Sequence, residues 1–110
     1  MKNSPSELQV ALETSATTTA LVYTSSQSPT ATLILGHGAG AGQRSAFMVN
    51  MARALAALGI DAVTFNFPYT EHGRRIPDRA PILESCYRSV IDAVRSHVPS
   101  ARARLFIGGK

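Results

Sequence analysis

The sequence of 110 residues predicts an α/β fold: a mostly parallel sheet with an N-terminal antiparallel hairpin and two crossover helices. Three observations carry that prediction. The apolar run Leu33, Ile34, Leu35 ends abruptly in a glycine-rich loop; further apolar stretches of strand character occupy 60–67 and begin again at Leu105; and two segments of helical spacing, 46–58 and 81–97, separate the three runs. Strands alternating with helices of that length imply crossover connections, and crossovers join parallel strands.

Taken in order, residues 1–6 are polar and expected to fray, which leaves 7–110 as the folded part. Leu8, Val10 and Leu12 alternate with polar neighbours as a half-buried strand does. After a turn near Ser15, the stretch 17–24 is rich in Thr, Val and Tyr and alternates again, so the two segments suit a hairpin at one edge of the sheet. Residues 25–30 are a loop by composition. A central strand over about 31–36 follows, its continuous apolar run matching a strand covered on both faces. The first helix, 46–58, sets Phe47, Met51, Leu55 and Leu58 on one face, with Ser45 placed as N-cap and Gly59 as terminator.

The second buried strand runs to Phe67, where Pro68 cannot donate a ladder hydrogen bond, and 69–79 reads as a polar loop rich in arginine. Helical spacing returns through Leu83, Tyr87, Val90 and Val94, with Pro81 tolerated in the first turn and Pro99 blocking continuation. The last strand, Leu105, Phe106 and Ile107, runs into Gly108, Gly109 and Lys110. A fully apolar strand of a parallel sheet needs neighbours and covering helices, so the sequence is expected to be cut short at this strand. Right-handed crossovers allow the second and third parallel strands to flank the central one, which sets the glycine loop at a topological switch point, where open α/β sheets bind ligands.

The totals narrow the possible functions. A chain of this length forms one domain and buries roughly two-thirds of its unfolded surface. No apolar run approaches the roughly 20 residues that span a bilayer, and the N-terminus has no apolar segment of a secretory signal, so no membrane partner is expected and the cytoplasm is the expected compartment. The single cysteine, Cys86, excludes an internal disulfide and a multi-cysteine metal site and is expected to pack in the core. Nine arginines, at 44, 53, 74, 75, 79, 88, 95, 102 and 104, supply most of the formal net charge of +4. They are scattered rather than striped, so no nucleic-acid partner is expected.

The loop itself suits an anion. Gly36, Gly38, Gly40 and Gly42 are free to take positive φ and leave backbone N–H groups unobstructed, and the following helix adds partial positive charge at its start. A phosphate-binding P-loop fails on spacing, because positions 41, 43 and 45 are Ala, Gln and Ser. Gly36, Gly38 and Ala41 formally match a dinucleotide fingerprint, yet the acid that should close the next strand is missing: that strand ends Asn66-Phe67-Pro68. No cofactor and no metal are therefore expected. Dinucleotide binding stays open as the less favoured reading beside stabilisation of an oxyanion.

Three stretches bear on that chemistry together: Leu35-Gly36-His37-Gly38-Ala39-Gly40, the strand end Phe65-Asn66-Phe67-Pro68-Tyr69, and the final Phe106-Ile107-Gly108-Gly109-Lys110. In these the sequence resembles the alpha/beta hydrolase superfamily, and more narrowly its dienelactone-hydrolase-like branch, in which a Gly-Gly-x-Ser-Met-Gly nucleophile elbow follows the fifth strand. The resemblance runs from the hairpin to Lys110 and implies a truncated alpha/beta hydrolase fold with serine-dependent ester or acyl hydrolysis on a small-molecule substrate. Gly108, Gly109 and Lys110 match the first three elbow positions, so the nucleophile is expected directly after Lys110, followed by acid and histidine in that chain order. No catalytic residue lies within 1–110 on this reading, and the chain alone is expected to be inactive.

The resemblance further implies that Ala39 supplies a backbone N–H to the oxyanion hole, with Gly36, His37, Gly38 and Gly40 supporting the loop. Asn66, Pro68, Tyr69, Arg74 and Arg75 are expected near the pocket rim; Arg74, Arg75 and Arg79 suit a solvated rim with Glu71 and Asp78, the favoured reading, or else attraction of an acidic substrate. His72 and His97 are expected to be a solvated loop residue and a helix-end residue. The alternatives are a non-catalytic interaction module on a hydrolase-derived fold, which would self-associate through its exposed last strand, and, less favoured, a dinucleotide-binding domain.

Overall fold

The computed structural model describes residues 4–110. Its sheet has the order β1-β2-β4-β3-β5. β1 (Ser6–Ala11) and β2 (Thr17–Tyr23) form the antiparallel hairpin at one edge, and β2 pairs antiparallel with β4 (Asp61–Phe65). β3 (Thr32–Gly36) lies between β4 and β5 (Leu105–Gly109), parallel to both. The expected switch point is therefore present: the chain leaves β3 with one parallel neighbour on each side. Of the expected frayed segment 1–6, positions 1–3 lie outside the described residues, and Ser6 already belongs to β1.

Helices cover the two faces. α1 (Ala46–Ala57) packs through Ala52 on Leu21, Tyr23 and Ala62, while α3 (Ala80–His97) packs through Cys86, Val90 and Val94 on Ala20, Ile34, Val63 and Phe65. Successive strand residues point to opposite faces, so neighbours such as Ala62 and Val63 serve different helices. Ser45 caps α1 by accepting the Met48 N–H at 3.4 Å, and Gly59, at φ 92°, ends it in a conformation that only glycine adopts without strain. Among the described residues no helix is long and apolar enough to cross a membrane.

Four expectations need correction. The buried residues of α1 are Met48 and Ala52, with Leu55 and Ala56 partly covered, whereas Phe47, Met51 and Leu58 are exposed. The helix is rotated so that Ala52 meets the sheet and Met48 is fully buried, which turns Phe47 and Met51 outward. β4 stops at Phe65, two residues before 67, and the chain then forms a one-turn helix α2 (Pro68–Glu71) in place of a loop from 69, with Pro68 at its first position. β5, whose apolar run reads as another buried strand, lies at the sheet edge with Phe106 53% and Ile107 58% exposed, as the alternative with an exposed last strand has it. Finally, none of Gly36, Gly38, Gly40 and Gly42 has positive φ; only Gly59 and Gly73 do among the glycines.

At the end of the sheet where the parallel strands begin, Asp61 is buried and carries the connections. Its carboxylate accepts the Ser25 N–H and the Ser100 hydroxyl, both at 2.6 Å, which ties the β2–β3 connection and the 3-10 turn Pro99–Arg102 to the start of β4. Those bonds make burial of the acid tolerable.

Candidate active site

The glycine loop leaves β3 at the carboxyl end of the parallel strands, and His37 governs its first turn. The ring is buried with its two nitrogens in defined roles. Nε2 accepts the Phe67 N–H at 3.1 Å, so Nδ1 carries the proton and donates it to the Gly38 carbonyl at 2.8 Å. Edge-to-face contacts with Phe67 and Tyr69, at 5.1 and 5.8 Å between centroids, complete its packing. His37 thus braces the loop, and both nitrogens are engaged away from any reacting atom.

The Ala39 N–H has no partner among the described residues, and Ala39 and Gly40 are exposed. A methyl built on Gly40 meets nothing within 4 Å, so the loop tip faces open space. On the other flank lies the end of β5. The Lys110 N–H donates to the Gly36 carbonyl at 3.1 Å, and a methyl built on Gly38 would stand 3.6 Å from the Lys110 carbonyl oxygen. The loop amides and the residue that closes β5 therefore share one end of the sheet in near contact. A methyl at Gly36 would reach ordinary contact, 3.4 Å from the Tyr87 ring and 3.5 Å from the Phe67 ring.

The expected rim separates into two groups. Arg74 and Arg75 are exposed, and together with Ile76, Pro77, Asp78, Arg79 and Ile82 they line a groove of about 580 Å³. Asp78 shapes it by accepting the Tyr69 N–H at 2.9 Å and an Arg74 N–H at 3.0 Å, while Arg75 and Arg79 make no ion pair among the described residues. Pro68 and Tyr69 are buried, and the half-buried Asn66 amide bonds the Gln43 N–H and Glu71. His72 and His97 each bond the carbonyl four residues earlier, Pro68 and Ala93, as helix-end residues do.

Sequence reasoning passed over Gln43. Gln43 is 1% exposed and looks in sequence like any polar residue ahead of a helix. Its partners, Thr19 and Thr64, lie on other strands, so no local pattern exposes it. No group of three or more His, Cys, Asp or Glu side chains among the described residues is placed to hold a metal.

A family model described as an alpha/beta hydrolase domain matches residues 29–110. The chain belongs to that family. Its fold superposes on an alpha/beta serine hydrolase without a lid from Xanthomonas campestris at a TM-score of 0.78 and 22% identity, over 96% of this chain and 50% of that one. An alpha-beta serine hydrolase homologue from Coxiella burnetii gives 0.78 at 17% identity, over 94% and 50%, and a Pyrococcus furiosus esterase gives 0.76 at 13%, over 96% and 39%. The chain thus spans half or less of the length of these hydrolases. No curated protein sequence matches it significantly.

Proposed function

We propose that this chain carries the loop half of a serine-hydrolase site for small acyl or ester substrates, of the dienelactone-hydrolase-like kind, with the nucleophilic serine on the turn that begins at Lys110. One observation carries the reading: the unpartnered amide of Ala39 stands on a loop whose first residue, Gly36, accepts the Lys110 N–H at 3.1 Å. A serine hydroxyl on that turn would attack an acyl carbonyl while a histidine oriented by an acid takes its proton. The oxyanion would then receive the Ala39 N–H and the N–H of the residue after the serine. Collapse expels the alcohol, and water releases the acyl group.

The groove beside Tyr69 favours an acidic substrate with an apolar portion. Arg75 and Arg79 lack carboxylate partners among the described residues, Arg74 is steadied by Asp78, and Ile76 is 81% exposed between them. The one thiol, Cys86, is buried and free, which supports a reducing, cytoplasmic setting.

An organophosphorus probe that labels activated serines tests the proposal. The 110-residue chain should remain unlabelled, whereas the polypeptide read on past Lys110 should be labelled at a serine immediately beyond it. Labelling of the short chain, or none in the longer one, would overturn the assignment. A second reading, an interaction module that pairs through β5, draws on the exposed Phe106 and Ile107 at the sheet edge. Sedimentation showing only monomer at high concentration of the 110-residue chain removes it.

A further inference from the structure

The far end of the glycine loop is held by a chain of side-chain hydrogen bonds. The Gln43 N–H donates to Asn66 Oδ1 at 3.0 Å, Gln43 Nε2 donates to the Thr19 carbonyl at 2.9 Å, and Gln43 Oε1 accepts the Thr64 hydroxyl at 2.8 Å. Asn66 Nδ2 donates to Glu71 Oε1 at 3.1 Å, and Glu71 Oε2 accepts the Thr19 hydroxyl at 3.0 Å. The chain therefore closes on itself from loop to β4, to α2, to β2 and back to Gln43. A carboxylate only accepts, so Glu71 dictates that Asn66 presents nitrogen to it and oxygen to the Gln43 N–H.

We propose that Gln43, Asn66 and Glu71 are positioning residues for the oxyanion amide at Ala39, an inference that rests on the hydrolase reading above. His37 pins the loop where it leaves β3, and this triad pins it where it enters α1. Between the two anchors, the tip around Gly40 touches nothing that would hold it. Gly42 fits the same purpose. A methyl on it would lie 2.9 Å from Asn66 Oδ1 and 2.7 Å from Thr70 Cγ2, so the backbone runs directly against the brace. An oxyanion donor acts only from the right place, and a misplacement of about 1 Å costs up to roughly 100-fold in rate.

A donor–acceptor exchange tests the proposal. Asn66→Asp sets one carboxylate against another and removes the donor to Glu71; adding Glu71→Gln returns a donor, now from position 71 to position 66, and leaves an acceptor for the Gln43 N–H. In the polypeptide extended past Lys110, Asn66→Asp should lower kcat by about 10- to 100-fold with KM little changed, and the double variant should recover most of the loss. In the 110-residue chain, amide exchange at Gln43 and through the loop should quicken in the single variant and return in the double.

Unchanged exchange in Asn66→Asp, or a double variant as slow as the single, overturns the positioning role. A fall in melting temperature that the double variant does not reverse, with kcat following it, does so too. If the extended wild type hydrolyses nothing and takes no probe, the hydrolase reading fails instead, and the exchange measurement still decides whether the brace holds the loop.

Discussion

Replacing Tyr87 by Phe removes one oxygen atom at the seam between β3 and β5. The Tyr87 hydroxyl lies 2.7 Å from the Gly108 carbonyl, 2.9 Å from the Ile34 carbonyl and 3.3 Å from the Gly108 N–H. It donates its one proton to either carbonyl and accepts the N–H, so a side chain from α3 joins two strands just ahead of Lys110. The ring stays in the Phe variant, with its edge-to-face contact to Phe65 at 4.9 Å, so little apolar burial is lost. What remains is a backbone donor and carbonyls short of a partner, at a cost of about 1–3 kcal/mol.

For a domain of this size that loss corresponds to a fall in Tm of about 5–15 °C. Thermal melting by circular dichroism measures it, and a urea titration with unchanged slope confirms that stability alone moved. Burial pushes the Tyr87 hydroxyl above its ordinary value of 10.0, opposed by its bond to the Gly108 backbone. A raised folded value means the contribution is intact below pH 10 and fades as pH rises further, so wild type and variant should converge in strong alkali. A difference under about 0.5 kcal/mol at neutral pH, within the range of ordinary surface substitutions, refutes the clamp.

Two further outcomes follow from packing and burial. Gly42→Ala forces a methyl to within 2.7 Å of Thr70 and 2.9 Å of Asn66, so it should destabilise the chain by about 1–3 kcal/mol, read by urea denaturation; a neutral result would mean that the loop has room to shift. The Cys86 thiol is pushed up to about 12 by burial first and by the Asp78 and Glu71 charges second. Iodoacetamide should therefore leave native Cys86 untouched at pH 8 and modify it in urea, as mass spectrometry would show, whereas rapid native labelling contradicts the packing. Because the folded value is raised, its part of the stability is intact below pH 9 and is lost as pH climbs through 12.

Much of the fold is legible in short windows of sequence. The hairpin shows in the alternation of Leu8, Val10 and Leu12, α3 in the spacing of Val90 and Val94, and the strand-to-loop junction in Leu35 running into Gly36. The face of α1 does not. Phe47 and Met51 are as apolar as Met48 and Ala52, yet the sheet takes the second pair, with Ala52 packed beside Ala62 and Met48 fully buried, a choice of face that spacing alone leaves open. The exposure of β5 likewise depends on which strand pairs with which, and strand order is a property of the crossovers.

The sequence by itself determined the strand–loop–helix unit, the caps at Ser45 and Gly59, and the glycines that let Gly38 and Gly42 run against other backbone and side chains. These depend on backbone preference and periodicity within a few residues. Only the tertiary structure decided that His37 braces the loop with both ring nitrogens, that Asn66 faces Glu71 and Gln43, and that the start of the loop at Gly36 and Gly38 lies beside Lys110. Each of those choices pairs atoms far apart in the chain, and the register of the sheet selects the partner.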